Sequence, residues 1–199
     1  MRMLLAGFLS LVVVMSASAR EYHLRVGDVQ GMFDAMELVE NPAGNPNAIG
    51  DRHMRHKAYG LLQIRYPYLK DVNRIARKEI MAKWGRLLTM QDIKDQSTAR
   101  WAATVYMSHY GARYERLTGL AATMEVYARI HNGGPNGWKH GNHDTAEYWA
   151  KVRSAYKIVQ SYAEVSVAQD VILLVDAGDE DVVNPRLPDE VMFNPKKEG

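Results

Sequence analysis

Residues 33–64 read FDAMELVENPAGNPNAIGDRHMRHKAYGLLQI. The stretch divides into a short amphipathic helix ending in an acid, a Pro/Gly/Asn loop, a charged run, and a Gly-led apolar segment carrying one amide. At roughly 100° per residue, Val29, Met32, Phe33, Met36 and Val39 share one helix face. Glu40 falls inside that apolar sector, while Glu37 lies further round, toward its rim. Asn41-Pro42 follows, and proline disfavours helix at its own position and at the one before it. Glu40 therefore stands at a helix end, on the packed side, beside a loop. Burial penalises the charged form of a carboxyl and raises its pKa, which is what a general acid working near neutral pH requires. The plainer alternative is a solvated glutamate at a frayed terminus.

Downstream, Asn41 to Gly50 holds two prolines, two glycines and three asparagines, a loop composition. DRHMRHK (51–57) is a charged, exposed insertion. In Gly60-Leu61-Leu62-Gln63-Ile64 the glycine suggests a close backbone approach. Gln63 is an amide inside apolar sequence and should be hydrogen-bonded, either to a loop carbonyl or toward a sugar or the acid. Leu69, Val72, Ile75, Ala76 and Ile80 have helical spacing. Thr89–Asp92 resembles a capping box with Asp in place of Glu. A strongly apolar helix begins at Ser97 and contains Trp101, Val105 and Tyr106, with Gly111 as its expected stop. Thr123–Ile130 is a shorter helix, ended by the run NGGPNG (132–137). Thr145 is the expected N-cap of a last helix whose buried stripe is Tyr148, Trp149, Val152, Tyr156 and Val159. Strand signals are nearly absent before residue 164. Val165–Val175 is β-branched and apolar, and reads as an extended arm.

The chain has 199 residues, 47% of them hydrophobic, with a formal net charge of +2. That suits one globular domain with a sizeable core, and near-balanced charge does not call for a nucleic acid partner. With no cysteine, thiol nucleophiles, thiolate metal sites and disulfides are excluded. Met1–Ala19 has the pattern of a secretory signal peptide: Arg2, the apolar run Leu4–Met15, then Ala17-Ser18-Ala19 as the cleavage site. The run is shorter than the roughly 20 residues of a membrane span. The expected organisation is a signal peptide (1–19), a mainly α domain (20–163) and a C-terminal arm (164–199). The expected location is periplasmic or secreted, with no membrane span left after cleavage.

Glu40, then Asn45-Pro46-Asn47-Ala48, Gly60-Leu61-Leu62-Gln63, Ala128–Asn132 with Gly134, and Thr145 with Tyr148 and Val152 follow one another in order. This set resembles the lytic transglycosylase domain of the lysozyme-like superfamily, over about residues 29–160. The resemblance implies a helical lysozyme-like domain with a glycan groove. Its substrate would be peptidoglycan, cut at the β-1,4 bond between N-acetylmuramic acid and N-acetylglucosamine. Carried over residue by residue, Glu40 is the catalytic acid, Gln63 lines the groove, Asn132 shapes the site, and Tyr148 offers a hydroxyl to the acid or substrate. Tyr59, Tyr127 and Trp149 are candidates for stacking on sugars, core packing being the alternative and the preferred one for Trp149. In a transglycosylase the 6-hydroxyl of the sugar attacks the anomeric carbon and leaves a 1,6-anhydro end, so no second carboxylate, metal or cofactor is needed.

Three departures qualify that pattern. Asn41 replaces the usual serine after the acid, and the Glu-to-Asn-Pro spacing is one residue longer, which makes Glu37 the fallback acid. His131 stands where an aromatic is usual, and could bond a sugar or the loop. Gly50-Asp51 is similar to goose-type lysozymes. If Asp51 holds a water across the groove, the enzyme is an inverting muramidase, with carboxyls roughly 6.5–9.5 Å apart; otherwise Asp51 caps its loop. Two further classes are a metal enzyme using the i, i+3 pairs His53/His56 and His140/His143, and a non-catalytic peptidoglycan-binding module. Both histidine pairs lie in charged loops without the helix motif or carboxylate partner that zinc sites usually have.

Overall fold

The computed structural model describes residues 21–139, 141 and 143–176, without the side chains of His143 and of 166–176. The expected signal peptide, His140 and the chain beyond residue 176 lie outside the described residues. No helix among those described is long and apolar enough to cross a membrane.

The fold is mainly helical. Helix α1 (Val29–Glu40) is capped by Asp28, whose carboxylate accepts from Gly31 N at 2.8 Å, and ends at Asn41 before Pro42. Three short antiparallel strands follow in the order β1 (Ile49–Gly50), β2 (Ala58–Tyr59) and β3 (Ile64–Arg65). Then come α2 (Tyr66–Ile75), α3 (Arg77–Trp84), a 3₁₀ turn (Asp92–Lys94), α4 (Gln96–Thr118), α5 (Met124–Gly133), a second 3₁₀ turn (Gly134–Asn136) and α6 (His143–Asp176). The chain divides into two compact units after Val159, and every site residue below belongs to the first.

Helix α4 is the centre of that unit. It is capped by Asp95, which accepts from Thr98 N at 2.8 Å, and it buries Ala99, Ala102, Ala103, Val105, Tyr106, Met107 and Tyr110. Small residues on this helix let α2 and α5 approach closely. Gly111 does not stop it. A Cβ there would stand 2.5 Å from the Tyr127 ring of α5, so this glycine admits a neighbour. The stop is Gly119, at φ 73°.

Four other expectations are corrected. The apolar run from Leu69 to Ile80 forms two helices, broken at Ala76 (φ −108°, ψ 31°). Strands exist before residue 164, but each has two residues and so carries no alternation to read. Thr145 lies inside the first turn of α6, and its buried hydroxyl donates to Gly137 O at 2.7 Å instead of capping. Residues 165–175 continue α6 as helix. Extending an existing helix is cheap, whereas a strand needs a partner edge.

Candidate active site

The loop after α1 is held by one buried amide. Asn41 Nδ2 donates to Asn45 O at 2.6 Å and more weakly to Gly60 O at 3.4 Å, fixing the point where the chain leaves Glu40. Gly60 N in turn donates to Ala48 O at 3.1 Å. Gly60 adopts φ 78°, and a Cβ on it would meet Ile93 O at 2.8 Å, so the close approach expected of this glycine is present. The register Gly50↔Ala58↔Arg65 lays three residues side by side across the sheet. Asp51, one residue past β1, thereby meets Arg65.

An open cleft of about 590 Å³ crosses this side of the domain. Glu40, Asp51, Gln63 and Asn132 line it together, so residues far apart in sequence are brought to one site. A smaller hollow of about 360 Å³, lined by Tyr148, Asp144, Glu147 and Lys151, shares Glu40 and Asn132 with the cleft. Tyr59 is not part of either. It is half-buried on β2 and packs against the core. Tyr127 is also core, its hydroxyl receiving Arg25 N at 3.4 Å, and Trp149 packs on the core as preferred.

Glu40 has 19% of its side chain exposed. Desolvation lifts its carboxyl from 4.5 to about 7, with smaller downward pulls from the Tyr148 hydroxyl and the Arg65 charge, and an upward push from Asp51. The carboxyl is therefore substantially protonated near neutral pH. The Tyr148 hydroxyl is buried and makes no well-formed hydrogen bond, although it lies near enough to Glu40 to act on it. Burial first, and then the Glu40 charge, push the tyrosine's own pKa well up. It is a donor throughout the physiological range.

His131 replaces the expected aromatic with a fixed neutral ring. Leu62 O, 3.1 Å from Nε2, can only accept, so Nε2 carries the proton and Nδ1 accepts from the Tyr68 hydroxyl at 3.3 Å. Burial lowers its pKa to about 4. Nε2 stands 3.9 Å from Glu40 Oε1, and an uncharged neighbour at that distance does not stabilise the glutamate anion.

Gln63 adopts φ 46°, unusual for a residue with a side chain, and donates Nε2 to Gly60 O at 2.7 Å. Its amide oxygen fills the space over Gly50, where a Cβ would stand 2.0 Å away. The amide satisfies a loop carbonyl, one of the two expectations for it, and Gln63 lines the cleft. Asp51, at φ 48°, takes Arg65 Nε at 3.1 Å and Arg65 Nη2 on the same oxygen, Oδ2. Glu37, the fallback acid, is bound by Arg100 Nε at 2.7 Å and Gln96 Nε2 at 2.7 Å. Among the described residues no group of three or more His, Cys, Asp or Glu is placed to hold a metal ion.

No family model matches the chain. It is similar to Invertebrate-type lysozyme 3 of Caenorhabditis elegans, with 35% identity over 98 residues, covering 48% of this chain and 64% of that protein. It is also similar to Lysozyme of Magallana gigas, 51% over 43 residues (22% and 30% of the two chains). Lysozyme 1 of Crassostrea virginica is 47% identical over 45 residues, 23% of each chain. The chain thus spans 23–64% of the length of these curated relatives. Among solved structures, the crystal structure of Tapes japonica lysozyme aligns with a TM-score of 0.49 and 24% identity over 64% of this chain and 88% of that one. The three curated relatives carry the name lysozyme.

Several cleft residues were not singled out from the sequence: Arg65, Tyr68, Asp71 and Tyr106. Tyr68 and Asp71 carry a signal. They lie three apart on α2, directly after the Gln63 segment, and so share the helix face that follows the active loop.

Proposed function

We propose that this chain is an exported lysozyme-type glycosidase that hydrolyses the β-1,4 bond between N-acetylmuramic acid and N-acetylglucosamine in peptidoglycan, with Glu40 as proton donor. The observation that carries it is a largely buried carboxyl that lines the cleft beside a neutral histidine, its pKa pushed up to about 7 by burial. The likeness of chain segments to proteins named lysozyme supports the hydrolytic form.

Protonated Glu40 gives its proton to the glycosidic oxygen as the bond to the anomeric carbon breaks, and the leaving sugar departs as an alcohol. Positive charge grows on the anomeric carbon and ring oxygen. The charge of Asp51, which lines the same cleft, favours that state. Arg65 occupies only Oδ2 of Asp51, leaving Oδ1 for the attacking water. Water adds to the opposite face and gives its proton to Asp51, an inverting outcome. Gln63 and Asn132 position the sugar, and the Tyr148 hydroxyl lies close enough to the Glu40 carboxyl to act on it. The mechanism uses no metal or cofactor.

A second reading is lytic transglycosylation, in which the 6-hydroxyl of the sugar replaces water and Glu40 takes its proton back. The Arg65 pairing favours it, since the guanidinium already engages Asp51, the carboxylate that would hold the attacking water. Mass spectrometry of products from purified sacculi decides between them, with Glu40→Gln alongside. Hydrolysis gives reducing ends that borohydride converts; transglycosylation gives anhydro ends lighter by one water. Cleavage that persists in Glu40→Gln would remove Glu40 from the role.

A further inference from the structure

The cleft has a side branch. The hollow of about 360 Å³ shares Glu40 and Asn132 with it and adds the opening turns of α6 to them. That volume lies within the roughly 300–1,000 Å³ of small-ligand sites. Asp144, Glu147, Tyr148 and Lys151 stand at i, i+3, i+4 and i+7, and so share one helix face. The two acids and the lysine are exposed. On α5, Glu125 and Arg129 have the same spacing as Glu147 and Lys151, and they pair at 3.1 Å. Among the described residues no ion pair joins Glu147 to Lys151, and none engages Asp144. Tyr148 is 6% exposed, and its hydroxyl, near Glu40, makes no well-formed hydrogen bond. A buried donor in that state calls for an acceptor. The chemistry above uses neither Asp144, Glu147 nor Lys151.

We propose that this hollow receives the peptide stem of the muramic acid unit whose bond is cut, with Lys151 taking a stem carboxylate and Glu147 and Asp144 a stem ammonium group. This rests on the peptidoglycan reading of the same cleft. Muramic acid supplies the anomeric carbon of the bond being broken. It carries at O3 a lactyl group joined through an amide to a short peptide. The substrate therefore branches at the reacting sugar, and the cavity branches at the proton donor. A strand of N-acetylglucosamine alone has nothing to place there. Stem peptides bear free carboxylates and the free amine of a diamino acid. The α6 face presents both counter-charges without pairing them with each other. The lactyl carbonyl is the kind of acceptor that the Tyr148 hydroxyl lacks.

The test is turnover of uncross-linked peptidoglycan strands, intact or stripped of their stems by an amidase. Lys151→Met and Glu147→Gln change an exposed helix face and install good helix formers, so folding is not at stake. In wild type, intact strands should show the lower KM. Lys151→Met should raise KM for intact strands about tenfold, the loss of roughly one charge-assisted hydrogen bond. The advantage over stripped strands should shrink by that factor, and kcat should hold. Glu147→Gln should give a smaller, several-fold rise, since Asp144 remains, and no rise once the stem amines are acetylated. Equal KM for intact and stripped strands in wild type overturns the stem site and leaves the glycosidase reading standing. An equal rise on both strands in Lys151→Met also overturns it, since the lysine would then act on the sugar or on Glu40. If wild type cleaves neither strand, the glycosidase reading fails and takes the stem site with it.

Discussion

Glu37 and Glu40 occupy the last turn of the same helix, three residues apart, and meet opposite surroundings. Glu37 is met by the guanidinium of Arg100, itself also paired with Asp34, and by the amide of Gln96. Glu40 is met by a neutral histidine, the Tyr148 phenol and open cleft. One carboxylate is thus a fastener between α1 and α4, and the other a proton reservoir. Similar burial yields either, depending on whether a cation arrives with it.

The largest expected effect breaks the reservoir. Glu40→Gln should lower cleavage of sacculi by about 10²–10⁴-fold, the usual worth of a positioned acid, while Glu37→Gln should leave the pH profile of cleavage in place. Turbidity clearance at several pH values measures both. Breaking the fastener comes next. Arg100→Leu strands two carboxylates against α4 and should destabilise the fold by about 3 kcal/mol in urea unfolding.

The comparison sharpens with pH. Glu40 has a folded pKa of about 7 against 4.5 unfolded, so the stability its neutral form permits is present below 4.5 and lost as pH rises through 7. His131 runs the other way, at about 4 folded against 6.5, and its stability is lost as pH falls from 6.5 toward 4. Glu40→Gln should therefore be more stable than wild type at pH 8, by at most about 3 kcal/mol, and no more stable at pH 4. Thermal unfolding at the two pH values checks this sign. Gly50→Ala should push the Gln63 amide aside. We expect about 1 kcal/mol of lost stability and a several-fold rise in KM, measured on oligosaccharides. The smallest effect belongs to Tyr148→Phe. Removing a group that lowers the Glu40 pKa should move the alkaline limb of activity upward in pH, with little change in the maximum.

Much of this was legible in the chain. Apolar periodicity and Asn41-Pro42 place Glu40 at a helix end on the packed side, because both the helical period and proline's steric limits are local. Gly60 signals a close approach by its residue type, although the atom it approaches, Ile93 O, lies far off in sequence. What escaped was non-local. The fastening of Glu37 depends on an arginine 63 residues away, and the neutrality of His131 on Leu62 and Tyr68. Gly111 and Thr145 have cap chemistry that packing overrides: Tyr127 occupies the space beside the glycine, and Gly137 O takes the threonine hydroxyl. Tyr59 carried a stacking residue's chemistry, but strand pairing with Ile64 leaves it against the core.

The most direct measurement is the ionisation of Glu40 itself, followed by NMR of ¹³C-labelled side-chain carboxyls across pH, with Glu40→Gln to assign the signal. A midpoint near 7 is the predicted result. A midpoint near 4.5 would mean that the cleft does not hold the proton, and Glu40 would lose its place as the acid.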